Sequence, residues 1–236
     1  MPRKVIVTGA SSGIGRETVL QLLSAGHTVI GMARDFGRLE INSAQFQAVE
    51  IDFSHATATV DTLKTLAKNV TGVTDLICCA GQGRFGSLEE FSFAQIKELM
   101  DINFLSQAYV VRAFLPQIKQ HGSGSILFVG SEAALSGSRR GTVYCASKFA
   151  LRGFAQALRE ECSANNVRVG IVNPGMVKTP FFDALDFAPG DNPENHLEAK
   201  DVANALVWML SSRAQTVIDE VNLSPLKKVI IKKPQN

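Results

Sequence analysis

The stretch Lys4-Val5-Ile6-Val7-Thr8-Gly9-Ala10-Ser11-Ser12-Gly13-Ile14-Gly15 runs a short apolar segment straight into a glycine-rich turn. Lys4–Thr8, rich in β-branched residues, reads as a buried strand. Arg16–Ala25 follows with Val19, Leu20, Leu22 and Leu23 at helical spacing. A glycine turn between a strand and a helix lets the backbone come close to a pyrophosphate, whose charge then sits at the helix N-terminus. The spacing here is Gly-x3-Gly-x-Gly, distinct from the Gly-x-Gly-x-x-Gly of the common dinucleotide fingerprint.

The same alternation continues along the chain. Thr28–Ala33 predicts a second strand and Phe46–Phe53 a third, then a helix over His55–Asn69 and an almost wholly apolar fourth strand over Asp75–Ala80. Such continuous apolar runs are expected of a sheet covered on both faces. Ser92 is placed to cap a long helix carrying Ile96, Leu99, Met100, Asn103 and Phe104, with Asn103 on the apolar stripe. A buried Asn has to be hydrogen-bonded, either as a structural bridge or as part of a site. Ser125–Gly130 and Val167–Val172 predict the fifth and sixth strands, with a helix over Thr142–Ala164 between them. Asn173-Pro174-Gly175 is expected to break the sixth strand. Ala199–Leu210 reads as a last helix with Leu206 and Trp208 on its apolar side, and Thr216–Leu223 as a seventh strand. Alternating βα units without repeat or linker predict a single α/β domain over 1–236. Its architecture is a doubly wound, Rossmann-like parallel sheet of about seven strands with helices on both faces. The Phe-, Asp- and Pro-rich segment 176–197 has no clear period and reads as a substrate lid. The lysines at 227, 228, 232 and 233 read as a solvated or edge-packed tail.

Composition narrows the function classes. The 236 residues are 45% hydrophobic and 19% charged, suited to a folded chain with a large core. A net charge of +2 implies neither a nucleic-acid nor a membrane-surface partner. Cys78, Cys79, Cys145 and Cys162 have no metal-ligand spacing and read as reduced thiols of a cytoplasmic protein. The apolar run at Val5–Val7 is too short for a signal peptide or membrane span.

The end of the second strand bears on the dinucleotide. An acid there binds a ribose 2′-hydroxyl, whereas an Arg accommodates a 2′-phosphate. Met32-Ala33 carry no acid and Arg34 follows at once, which favours NADP(H); Asp35, one step on, keeps NAD(H) open.

Gly130-Ser131-Glu132-Ala133-Ala134-Leu135-Ser136-Gly137-Ser138-Arg139-Arg140-Gly141-Thr142-Val143-Tyr144-Cys145-Ala146-Ser147-Lys148 offers a hydroxyl, a phenol and an ammonium. Tyr144 and Lys148 share one helix face, as many inert surface pairs also do. A free phenol, with pKa ~10, is a poor acid or base at neutral pH, and a nearby fixed cation lowers that pKa. Ser131, on the preceding strand, is placed to hold a substrate oxygen beside the phenol. His27, His55, His121 and His196 all lie in stretches that do not reach this region, which leaves Tyr144 as the proton donor.

Thr8-Gly9-Ala10-Ser11-Ser12-Gly13-Ile14-Gly15, Asn103, Ser131, Tyr144-x3-Lys148 and Asn173-Pro174-Gly175-Met176-Val177-Lys178-Thr179 together resemble the short-chain dehydrogenase/reductase family, from about Lys4 to about Leu223. The resemblance implies hydride transfer between a nicotinamide and a small-molecule carbonyl or alcohol, as in NADP-dependent alcohol dehydrogenases and carbonyl reductases. Tyr144 would give or take the hydroxyl proton, and Lys148 would lower its pKa and hold the nicotinamide ribose. Ser131 would position the substrate oxygen and Asn103 fix a relay water. Gly9, Ser11, Gly13, Ile14 and Gly15, with Ser12 in the same turn, would surround the pyrophosphate. Asp52 and Phe53 would lie by the adenine, and Ala80 and Gly81 by the adenosine ribose. Val177 and Thr179, after Pro174 and Gly175, would hold the carboxamide. Arg34 matches the family's NADP-type position.

The chain also departs from the family. Cys78-Cys79-Ala80-Gly81 replaces the common Asn-Asn-Ala-Gly, removing Asn hydrogen bonds. Ser12 stands where many NADP-preferring members carry a basic residue, leaving Arg34 and Arg38 for a phosphate. The family commonly associates through the Asn103 and Tyr144 helices. Here a homodimer or homotetramer is expected through outward-facing Phe114, Leu151, Phe154 and Leu158. A non-catalytic NADP(H)-binding regulator of the same fold is the competing class, and such proteins typically lose the Tyr or the Lys. An epimerase or dehydratase usually needs a larger substrate domain than the roughly sixty residues after Gly175 provide.

Overall fold

A computed structural model describes residues 2–37, 39 and 41–234. The strands are β1 (Lys4–Thr8), β2 (Thr28–Ala33), β3 (Phe46–Glu50), β4 (Asp75–Cys78), β5 (Gly124–Val129), β6 (Val167–Pro174), β7 (Val177–Lys178), β8 (Phe187–Pro189), β9 (Leu197–Glu198), β10 (Glu220–Leu223) and β11 (Ile230–Lys232). The α-helices are α1 (Gly13–Ser24), α2 (Ala56–Asn69), α3 (Phe93–Met100), α4 (Ser106–His121), α5 (Thr142–Cys162) and α6 (Ala199–Ser211). Seven strands form one parallel sheet in the order β10-β6-β5-β4-β1-β2-β3.

Alternation along each strand divides the core. Ile6, Ile30, Leu76, Ile126 and Phe128 face one way, toward Leu63 of α2, Phe114 of α4 and Leu151 of α5. Val5, Val7, Val29, Ile77 and Leu127 face the other way, toward Val19 of α1 and Leu206 of α6. The sheet is thus covered on both sides, as its unbroken apolar strands require. From β1 the chain runs outward through β2 and β3, then returns to β4 and continues the other way. That reversal opens a crevice at the carboxyl ends of β1 and β4, where ligands bind in sheets of this kind.

Several expectations need correction. Phe114, Leu151 and Leu158 are core residues rather than an outward face for association. On α5 they follow from Tyr144, Lys148, Leu151 and Ala155, one stripe of i, i+3 and i+4 positions that faces the sheet. Phe154, half-buried, packs edge-on against Phe104 and Phe128. Trp208 is 56% exposed while Leu206 is buried, because residues two apart on a helix point to different faces. The sixth strand does not break at Asn173: Asn173 and Pro174 still pair with Asn222 and Leu223 of β10, and the chain turns only at Gly175. A proline is tolerated at that strand end.

The 176–197 segment is not irregular throughout. β7 pairs with β9, and β8 pairs antiparallel with β11 of the carboxyl-terminal segment. Among the described residues no helix is long and apolar enough to cross a membrane, and no cluster of His, Cys, Asp and Glu has the makings of a metal site.

Candidate active site

Two neighbouring regions form the site. The first is a cavity of about 370 Å³ at the β1/β4 crevice, lined by Gly9, Ser11, Ser12, Ala33, Arg34, Asp35, Asp52, Phe53, Ala80, Gly81, Gln82 and Ile102. Its floor exists because side chains are missing. Gly9 has φ +67°, and a Cβ on it would stand 3.0 Å from Ala80 Cα. A Cβ on Gly15 would lie 2.2 Å from the Gly9 carbonyl oxygen, so α1 packs against the turn only with glycine there. Gly13, at φ +51°, faces Thr179. Ser12 precedes α1 without a side-chain cap, and the first turn holds no acid. The leading N–H groups of α1 therefore have no competing carboxylate, as an anion site requires. Ile14 is half-buried, and its carbonyl accepts a hydrogen bond from Thr18 Oγ1 (2.8 Å).

Arg34 and Asp35 are both exposed on the cavity rim. Asp35 Oδ1 accepts a 2.6 Å hydrogen bond from the Gly37 N–H, which commits that carboxylate to its own turn. Burial alone would raise the Asp52 pKa, but two hydrogen bonds from Ser54 and the positive charges of His55 and Arg34 hold it below the ordinary carboxylate value. Arg38 lies outside the described residues.

The wall after β4 keeps its place despite Cys78-Cys79. Thr8 Oγ1 accepts from the Ala80 N–H (3.0 Å) and donates to Gln107 Oε1 (3.0 Å), while Gln107 Nε2 donates to the Ala80 carbonyl (3.1 Å). Asn103 sits fully buried in a π-helical turn, Asp101–Leu105, between α3 and α4. Its Oδ1 accepts from the Gln82 N–H (2.8 Å), and its Nδ2 donates to the Gln82 carbonyl and to Ser147 Oγ (both 3.0 Å). Asn103 is thus the bridge that joins the β4 loop to α5. A π turn widens the helix by one residue and frequently marks a functional position. Gln107, Gln82 and Ile102 were not singled out in the sequence, and Thr8 only as the first residue of the glycine-turn motif. An Asn on an apolar stripe was the one signal leading toward this network.

The second region surrounds Tyr144, which is 7% exposed, and Lys148, which is 5% exposed, on the inner stripe of α5. Lys148 Nζ donates to the Val129 carbonyl (3.1 Å) and stands 5.9 Å from the Tyr144 ring centroid. Burial lowers the Lys148 pKa to about 8, with Cys79 acting in the opposite sense. Burial raises Tyr144 to about 12; Ser131 draws it down, while Cys145 and Glu132 push it up. In the protein alone the phenol is therefore not activated, contrary to the expectation of a pKa lowered by Lys148. Desolvation outweighs a cation held away on a backbone carbonyl. Ser131 Oγ also accepts from the Ala133 N–H (3.1 Å), which fixes the hydroxyl at the end of β5.

Aromatic rings close this side. Phe85 lies 4.9 Å from Tyr144 and 5.1 Å from Phe187, and Phe181 lies 6.1 Å from Tyr144, between ring centroids. The four histidines are engaged elsewhere: His27 with the Arg3 N–H, His55 near Asp52, His121 with Ser123, and His196 with Gly190 and Glu198. Below the rings, Val177 is buried in β7, and Thr179 Oγ1 donates to the Val177 carbonyl (3.3 Å). Pro174 ends β6, and the Gly175 N–H donates to the Leu223 carbonyl (2.8 Å). Thr179 faces Gly13 and Val177 shares a core cluster with Ala10, Gly175 lies beside Glu132, and none of Pro174, Gly175, Val177 and Thr179 lines the open cavity.

The family model described as short chain dehydrogenase matches residues 3–188. An uncharacterised oxidoreductase of Staphylococcus epidermidis is 28% identical over 94% of this chain and 96% of its own length. Human retinol dehydrogenase 8 is 32% identical, covering 97% of this chain and 86% of its own. The structure of an alcohol dehydrogenase from the archaeon Thermococcus sibiricus, complexed with 5-hydroxy-NADP, superposes with a TM-score of 0.85 at 26% identity, covering 97% of this chain and 99% of that one. With the glycine cradle, the seven-stranded sheet and these likenesses in agreement, the chain is an oxidoreductase-type member of the short-chain dehydrogenase family.

Proposed function

We propose that this protein is an NADP(H)-dependent oxidoreductase acting on a carbonyl or alcohol, with Tyr144 as the proton donor and acceptor. The observation that carries the reading is the convergence of Ser131, Tyr144 and Lys148 beside a glycine-floored cavity at the sheet's switch point. The residues present fit a dinucleotide. The cradle of Gly9, Gly13 and Gly15 excludes side chains, and Gln82 Nε2, on the cavity wall, is a buried donor without a partner among the described residues. The bound nicotinamide supplies or accepts the hydride.

This chain's own groups would do the rest. The N–H groups leading α1, with Ser11 and Ser12, would receive the pyrophosphate. Arg34 would make charge-assisted bonds to a 2′-phosphate. The NADP-type ligand of the archaeal relative supports that choice over NAD(H). Pro174, Gly175, Val177 and Thr179 would border the carboxamide, and Lys148 the nicotinamide ribose. Ser131 would hold the substrate oxygen so that Tyr144 can protonate it as negative charge builds there. The Phe85, Phe181 and Phe187 rings would exclude water and favour an apolar substrate face. A non-catalytic binding role is not favoured, since both Tyr144 and Lys148 are kept.

The direct test follows the absorbance of reduced nicotinamide with a panel of ketones, aldehydes and alcohols, in parallel with NADPH and NADH. Turnover on a carbonyl with NADPH is expected. Binding of neither dinucleotide would contradict the reading.

A further inference from the structure

The segment from Pro225 to Lys233 spends its polar contacts on the 176–197 segment and on one residue beside Ser131. Gly190 donates its N–H to the Val229 carbonyl (3.0 Å), and the Lys227 and Lys233 N–H groups donate to the Glu194 and Asp186 carbonyls (both 2.8 Å). Between these ties Ile231 stands opposite Ala188 in the β8–β11 pair. The lysine side chains, which the sequence presents as solvated, are used as well. Lys227 Nζ reaches Glu194 Oε1 (2.8 Å), Lys233 Nζ donates to the Phe182 and Asp183 carbonyls, and Lys228 Nζ reaches Glu132 Oε2 (2.5 Å).

What this segment holds in place is the aromatic cover of the phenol. Phe187, on β8, packs on Phe85 and on Phe182, and Phe182 on Phe181, which reaches Tyr144. Those rings help to leave Tyr144 only 7% exposed, so the state of the lid bears on how a substrate oxygen reaches it. The hold is of a kind that releases. Leu226, Ile230 and Ile231 are 83%, 64% and 43% exposed, so little apolar burial anchors the tail. A two-stranded pair and surface ion pairs are each weak, and such regions open at low cost.

We propose that residues 225–233 form a latch that sets the closed state of the 176–197 lid, and that Lys228 is its positioning residue. By pairing with Glu132, next to Ser131, Lys228 joins closure of the lid to the setting of the proton-transfer groups. The carboxylate it holds is one of the groups that push the phenol pKa up. The coupling to catalysis rests on Tyr144 being the proton donor; the latch itself does not.

Two variants of the full chain test this. Lys228→Ala removes the ion pair, and Ile231→Pro removes an N–H from the middle of β11, where a paired strand does not accept proline. Native-state cleavage by chymotrypsin at Phe181, Phe182 and Phe187 should accelerate by about tenfold or more in both, since cleavage tracks the open population. An unchanged far-ultraviolet circular dichroism spectrum should report an intact fold, and Lys228→Arg should restore protection because it keeps the charge. In turnover, Lys228→Ala should raise KM by about tenfold with kcat changed far less, and shift the rising limb of the oxidation pH profile to higher pH as Glu132 loses its partner. Unchanged cleavage in both variants, or a loss of protection that Lys228→Arg does not restore, would overturn the latch. A chain that shows the cleavage pattern but no turnover with any carbonyl would keep the latch and remove the oxidoreductase reading.

Discussion

The dinucleotide cavity and the phenol side lie a few residues apart on the same crevice, yet they are built in opposite ways. The cavity is open and polar-rimmed, and short runs of neighbouring residues line it: the glycine turn, the chain just after β2 and β3, and the loop after β4, with Ile102 added. The phenol side is covered by rings from separate segments of the chain, Phe85 packing on Tyr144 and Phe187, and Phe181 on Tyr144. One region is prepared to receive charge from solvent. The other pushes Tyr144 up and Lys148 down, each toward its neutral form, by burial.

Substitutions can separate the two halves. The largest combined effect is expected of Lys148→Met, because Lys148 belongs to both. Turnover should fall by roughly 10²–10⁴ and dinucleotide binding should weaken as well; binding left intact would confine Lys148 to the phenol side. Arg34→Ala should act on the cavity alone. Loss of one charge-assisted bond, about 2 kcal/mol, should weaken NADPH about thirtyfold and leave NADH nearly unchanged, as read by fluorescence titration. Equal affinities for the two dinucleotides in the unmutated protein would make Arg34 a surface charge and turn attention to Asp35.

The smallest effect is a pH dependence of stability without dinucleotide. Lys148 titrates at about 8 in the fold, below its ordinary value, so the folded chain binds fewer protons than the unfolded one between those two pKa values. Below pH about 8 the buried charge is therefore a constant cost, and stability rises as pH climbs from there toward ~10.4. Relative to Lys148→Met, the unmutated protein should be less stable at neutral pH, with the gap in Tm closing in that window. A gap that stays constant with pH would mean that Lys148 is not desolvated.

The contrast also governs what the sequence disclosed. β1 and β2 fall within the expected bounds, and the cradle is visible because local spacing makes it: strand, glycines, helix. Gln82 and Gln107 escaped, and Thr8 was legible only as the start of the turn motif, because their roles depend on partners 21 to 99 residues away. β8 and β11 escaped because three-residue strands carry no period, and their pairing spans the last quarter of the chain. The faces of α4 and α5 were misassigned for a different reason. Phe114, Leu151 and Leu158 were assigned an association surface, whereas the stripe that carries Tyr144 and Lys148 also carries Leu151 and Ala155 into the core.

The central claim is that the shut side supplies the proton while the open side only binds. Tyr144→Phe tests it most directly, since one hydroxyl is removed from a buried ring that keeps its contacts with Phe85 and Phe181. NADPH affinity should remain nearly normal while single-turnover oxidation of NADPH by a carbonyl substrate slows by about 10²–10⁴. A Tyr144→Phe protein that turns over at the unmutated rate would contradict the account.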